Sequence, residues 1–229
     1  MSDHCEEHVG SHEHTISSEV ICHFPYAVFS VAFGLAVLSF ISFLSMTNLD
    51  KAATCKGAHL LFHSFHFMHI VFAATGTLIT YFRFSKNIWK GLIVGILTAS
   101  TFCTLSDSIL PYIGGRMLGV NMSFHMCFIS DLDKILPFLF VGLLNGFVMS
   151  RHHSSKQSFY STFSHAIHIL VSSFASMFYL VSHGFVDWAD NIGFVFLFLI
   201  VAVVVPCTFS DVVVPMFFAK KMKNVAPHK

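Results

Sequence analysis

The chain carries 16 histidines in 229 residues, and several recur at helical spacing inside apolar segments. His59, His63 and His66 fall on one stripe of a helix, with His69 at its edge. In a later segment Ser161, His165, His168 and Ser172 share a face. Neutral imidazole is the commonest nitrogen ligand for first-row metals. A spacing of i, i+3 or i, i+4 lets two rings reach one ion. The competing reading is that these rings hydrogen-bond across helices and hold a bundle together.

Two aspartates complete the pattern. Cys103 and Asp107 stand at i, i+4, as do Cys207 and Asp211, and each aspartate lies four residues before a proline. Proline has no N–H to donate, so the carbonyls of Asp107 and Asp211 are expected to be free. Carboxylate, carbonyl and neighbouring hydroxyls (Thr104, Ser106, Ser108; Thr208, Ser210) suit a desolvated cation at an interrupted helix. The six expected metal ligands are therefore His63, His66, Asp107, His165, His168 and Asp211. His59, Glu19, His23, Asp131, Cys103 and Cys207 form a secondary set. Glu19 and Asp131 each precede an apolar segment, as gate residues or as acids favoured by a helix dipole; Ser130-x-x-Asp133 has the form of a capping box. Buried cysteines act more often as small hydrophobes than as ligands.

Other features are weaker. Asp3, His4, Cys5, Glu6, Glu7, His8, His12, Glu13 and His14 make a His- and acid-rich start that lacks the basic and apolar parts of a signal peptide. Such a tail can collect metal from solution. The six cysteines include no CxxC pair; Cys55 and Cys127 could form a disulfide. Gly91-x-x-x-Gly95 and Gly142-x-x-x-Gly146 permit close helix contact. His152-His153 falls in a polar break.

The elements that must carry these residues are membrane helices. Residues of the AVILMFWYC set make up 55% of the chain and charged residues 11%, so polar surface is too scarce for a soluble globule. A net charge of +1 excludes a nucleic-acid binder. Six apolar spans are expected, near 21–46, 59–82, 88–113, 135–149, 159–181 and 192–218. Breaks fall at Thr47 to Lys51, Arg83 to Lys86, Gly114 to Arg116, Arg151 to Lys156 and Asp187 to Asp190. Of the 13 Lys and Arg, 9 fall on the side of both termini and 4 on the other, which predicts cytoplasmic termini in a cell (inner) membrane.

The chain also repeats itself. Cys103-Thr104-Leu105-Ser106-Asp107 then Pro111 returns as Cys207-Thr208-Phe209-Ser210-Asp211 then Pro215. His63-x-x-His66 is matched with His165-x-x-His168, and Ser18-Glu19 then Pro25 with Ser130-Asp131 then Pro137. This divides the protein into a disordered tail (1–17), a three-helix repeat (18–116), a linker (117–129), a second three-helix repeat (130–220) and a basic tail (221–229). An odd number of spans per unit inverts the second copy, a recurrent plan among transporters.

The all-α, 3+3 inverted-repeat reading leads to a transporter or channel for a divalent transition-metal cation. Zn, Fe, Mn, Co and Ni are not separable by residue type. A membrane redox protein or metalloenzyme, with b-type haem or a di-metal centre, is the second reading. The third is a non-catalytic subunit of a membrane complex. The expected partners are the ion and the bilayer, with a homo-oligomer or larger membrane complex also open.

Overall fold

The computed structural model describes residues 16–48, 51–151 and 157–223. Most of the His- and acid-rich tail, the basic end from residue 224, and His152 and His153 lie outside the described residues. Every regular element among the described residues is helical. They are α1 (Ile16–Asn48), α2 (Lys51–Phe84), α3 (Ile88–Thr104), α4 (Leu110–Met117), α5 (Cys127–Ser130), α6 (Leu132–Arg151), α7 (Gln157–Ser182), α8 (Ile192–Thr208) and α9 (Val214–Lys223). A π-helical turn, Leu105–Ile109, joins α3 to α4, and a second, Phe209–Val213, joins α8 to α9.

Six of the resulting rods are long and apolar enough to cross a membrane. Their surface is inverted relative to a soluble protein. Large apolar side chains such as Ile21, Phe29, Phe40, Leu60, Leu97, Phe140 and Leu197 point outward, while histidines, serines, threonines and aspartates are buried. In a bilayer such polar groups must satisfy one another inside the bundle. The α7 span is the most enclosed, 72% of it buried, against 33% for the α1 span and 22% for α6. α7 packs most extensively on α2, and α6 covers the far side of α2. The helix pair α2 and α7 is thus the axis of the molecule, and it carries the histidine stripes.

Close approach of α6 to α2 rests on the predicted glycines. A Cβ on Gly142 would lie 2.7 Å from the Val71 carbonyl oxygen, and one on Gly146 would lie 2.9 Å from that of Thr75. Thr75 in turn donates to the Gly142 carbonyl at 3.1 Å. Gly91 and Gly95 similarly seat side chains of Phe82 and Leu78.

Three boundaries differ from the sequence reading. α2 begins at Lys51, eight residues before the expected start. The third rod runs through Gly114 and Gly115 to Met117. Those glycines receive the Phe198 ring and the Met122 sulfur, which lie 2.5 and 2.0 Å from where a Cβ would stand. They serve packing, and the chain turns instead at Gly119, whose φ is 77°. The Ser130 hydroxyl does not act as a cap for the next helix: it donates back to the Met126 carbonyl at 2.9 Å.

Candidate metal centre

The two π-turns place the aspartates. A π-turn carries one extra residue, so its amides pair with the carbonyl five residues back. Leu110 N–H bonds Leu105 O, and Val214 N–H bonds Phe209 O. In this register the next residues, Pro111 and Pro215, would have served Ser106 and Ser210. Those are the carbonyls left free, one residue earlier than the α-helical count gives. Each takes a hydroxyl from the neighbouring axis helix: Ser176 of α7 donates to Ser106 O at 3.0 Å, and Thr77 of α2 donates to Ser210 O at 3.0 Å. The turns are thereby pinned, with Asp107 and Asp211 aimed between α2 and α7.

Each aspartate meets a pair of histidines from one axis helix. His66 Nδ1 and His69 Nδ1 lie 2.9 and 2.7 Å from Asp107 Oδ2. His168 Nδ1 and His165 Nδ1 lie 2.5 and 3.2 Å from Asp211 Oδ2. Ser106 and Ser172 bring their hydroxyls to Asp107 Oδ1, at 2.7 and 2.9 Å. Asp211 Oδ1 has no partner among the described residues. Gly76 makes room for Asp211, since a Cβ there would lie 2.8 Å from Oδ2.

The two halves then meet. His69 Nε2 and His168 Nε2 are 2.6 Å apart. Carboxylate oxygens only accept, so each Nδ1 carries the ring proton and each Nε2 presents a lone pair. Two lone pairs at that separation repel, so the contact needs either a proton shared between the rings or a cation that both nitrogens face after the rings part slightly. Cys207 Sγ stands 3.7 Å from His69 Nε2. The donor atoms of His69, His168 and Cys207 all lie within 4.8 Å of one another, a geometry that could hold a metal ion. Asp107, Asp211, His66, His69, His168, Cys103 and Cys207 are all buried, none exposing more than 2% of its surface.

The structure therefore groups the expected residues differently from the sequence. It brings together His66, Asp107, His165, His168 and Asp211. His69, taken for the edge of the stripe, occupies the centre. His63 is not part of this group and lies further along α2, among residues at one end of the bundle. The histidine pairs that share a role are 66/69 and 165/168, an offset of 99 rather than the 102 that matched His63-x-x-His66. Periodicity put all four α2 histidines near one face, and only the partner aspartate distinguishes them. Of the secondary set, Cys207 faces the central rings, and Cys103 is buried in the core nearby. His23 meets His165, Nε2 to Nε2. The Glu19 side chain lies outside the described set.

His59, His63 and Asp131 collect at the end formed by 117–131 and 183–191, around residues the sequence reading assigned to a linker. The Lys134 ammonium, 2.6 Å from Asp131 Oδ1, holds that carboxyl down at about 2. Burial pushes the Cys127 thiol up to about 12 and the His183 imidazole down to about 4. Cys55 and Cys127 are both free thiols, with no disulfide between them.

No family model matches the chain, and neither a curated protein nor a solved structure is similar to it.

Proposed function

We propose that the protein is an integral membrane transporter or channel for a divalent transition-metal cation. The ion sits between His69 Nε2, His168 Nε2 and Cys207 Sγ. The observation that carries this reading is the pair of facing Nε2 atoms, 2.6 Å apart and each backed by a carboxylate. Metal-bound imidazole commonly donates its second N–H to a carboxylate, which fixes the tautomer and strengthens the donor. In this reading Asp107 and Asp211 are not ligands, as the spacing suggested; they orient His69 and His168. His66 and His165 share those carboxylates one turn to either side and offer the next donors along the path.

Transport, rather than a resident centre, is supported by the arrangement around the ion. The centre lies midway along α2, and the expected 3+3 repeat gives it a partner from each half. Both halves use the same parts: a π-turn, an aspartate, an H-x-x-H pair and a hydroxyl on the freed carbonyl. Repeat interfaces at the bilayer midplane are where alternating-access proteins bind their cargo. A bis-imidazole haem would need room for a macrocycle between the rings. The 2.6 Å approach leaves no such room, whereas a single ion beside Cys207 requires the two rings to part only to roughly 3.3 Å. The cell (inner) membrane is the location that fits this role.

The test is direct. Purified protein should carry a first-row divalent metal by elemental analysis without any added, and proteoliposomes should accumulate Zn2+ or Co2+. The His69→Ala/His168→Ala variant should fold and lose uptake. Full uptake in that variant would reject the centre.

A further inference from the structure

The second constellation of metal-type donors lies at the 117–131 end. His63 Nε2 is 3.7 Å from Asp131 Oδ2 and 3.7 Å from Cys127 Sγ. His125 Nε2 is 3.2 Å from the same Asp131 oxygen. All four donor atoms lie within 4.8 Å of one another. Tetrahedral zinc with bonds of about 2.0–2.3 Å sets its ligand atoms roughly 3.3–3.8 Å apart. The set needs little adjustment to close on one ion.

Its supports are also in place. His63 Nδ1 donates to the His59 carbonyl at 2.9 Å, which leaves the Nε2 lone pair facing the cluster. Asp131 Oδ1 is held by Lys134 at 2.6 Å, while Oδ2 faces the cluster with the Ser130 hydroxyl 3.1 Å away, a contact that a metal would replace. His125 N–H and carbonyl both meet the Tyr179 hydroxyl, at 3.1 and 3.3 Å, so the segment carrying His125 is anchored to α7. His183 stacks on the His125 ring, with centroids 5.7 Å apart. A cavity of about 680 Å³ opens from this cluster, lined by Lys56, His59, Ser64 and Met68 among others. Below it on α2, His66 Nε2 is buried with no hydrogen-bond partner among the described residues, between this cluster and the central rings.

We propose that His63, His125, Cys127 and Asp131 form a second metal site, a mouth site that captures a borderline divalent cation such as Zn2+ from water. The donors are one cysteine sulfur, whose proton the metal displaces on binding, two imidazoles and one carboxylate, a mixture that favours Zn2+ or Co2+ over Mg2+ or Ca2+. Binding at the mouth stands on its own four donors. Its service as the first stop on a path through His66 to the centre rests on the transport reading above.

The experiment is metal titration of the full chain in detergent, stripped with chelator, using Co2+ for its thiolate charge-transfer band and Zn2+ by chelator competition. The His125→Ala/Cys127→Ser variant should bind one ion fewer than wild type and lose part of the thiolate band. Asp131→Asn should retain the fold and weaken that ion by at least tenfold. The His69→Ala/His168→Ala variant should keep the mouth ion. If the mouth double variant is misfolded by circular dichroism, Cys127→Ser and Asp131→Asn alone supply the readout. Wild-type stoichiometry and band in the mouth variants would overturn the mouth site. Loss of an ion there, with none lost in His69→Ala/His168→Ala, would uphold the mouth and overturn the centre.

Discussion

At the scale of single residues, the central histidines depend on which nitrogen holds a proton, and the aspartates decide that. Asp107→Asn keeps the shape and removes the charge. Its NH2 fits the Oδ1 place, where the Ser106 and Ser172 hydroxyls can accept, so a neutral amide oxygen faces the His66 and His69 Nδ1 protons at 2.9 and 2.7 Å. The rings then lose the carboxylate charge that strengthens their Nε2 atoms as donors. Loss of an outer-shell carboxylate of this kind typically weakens metal binding about 10–100-fold, and chelator competition should read that loss in a folded protein. Unchanged affinity would show that the carboxylate charge does not strengthen the rings as ligands. The two aspartates also differ in the hydroxyls that reach them. Ser172 serves Asp107 Oδ1 at 2.9 Å, and the corresponding residue on α2 is Ala73. Asp211 Oδ1 accordingly lacks a partner among the described residues. Ala73→Ser should supply the missing hydroxyl and raise stability by about 1 kcal/mol, visible as a higher midpoint of thermal unfolding in detergent. A lower midpoint would mean that the buried site has no space for the extra oxygen.

At the scale of elements, the sequence displayed the spans clearly but not how they are phased. Apolar runs and polar breaks are legible because a bilayer demands them. The π-turns were not, because one inserted residue leaves no mark in composition. It only shifts the proline's missing bond from Asp107 and Asp211 to Ser106 and Ser210. Ser176→Ala and Thr77→Ala should each orphan one of those carbonyls, whose hydroxyl donors now stand at 3.0 Å. An orphaned buried acceptor costs roughly 1–3 kcal/mol, so each variant should unfold at lower temperature and the pair lower still. The small-residue contact of α6 with α2 gives a sharper contrast. Gly146→Ala forces a Cβ to 2.9 Å from the Thr75 carbonyl, whereas a Cβ on Gly57 meets nothing within 4 Å. Gly57→Ala lies near the start of the same helix α2 and should stabilise it by about 0.5–1 kcal/mol. Thermal unfolding that ranks Gly57→Ala at or below Gly146→Ala would refute this account of the interface.

At the scale of the whole molecule, membrane class and the inward convergence of His66, His165, His168, Asp107 and Asp211 were readable from the cost of exposing such groups to lipid. His125 and Cys127 were not, because H-x-C in a short polar connection shows no periodicity; only the fold brings them to His63 on α2. Six crossings would put the start of α1 and the end of α9 on one side and the 117–131 mouth on the other. The flanking Lys and Arg number 9 on the side of the termini and 4 at the mouth. Short basic flanks are retained on the cytoplasmic side, so the mouth should face outward, toward an external metal supply. A fluorescent-protein fusion after Lys229 should therefore fold and fluoresce, and an alkaline phosphatase fusion there should be inactive. Insertion of the same reporters at the Gly119 turn, where a Cβ would meet nothing within 4 Å, should give the opposite pair of results. The reverse pattern would make the mouth an inward-facing site and recast the direction of capture. The same result at both positions would break the six-span count itself.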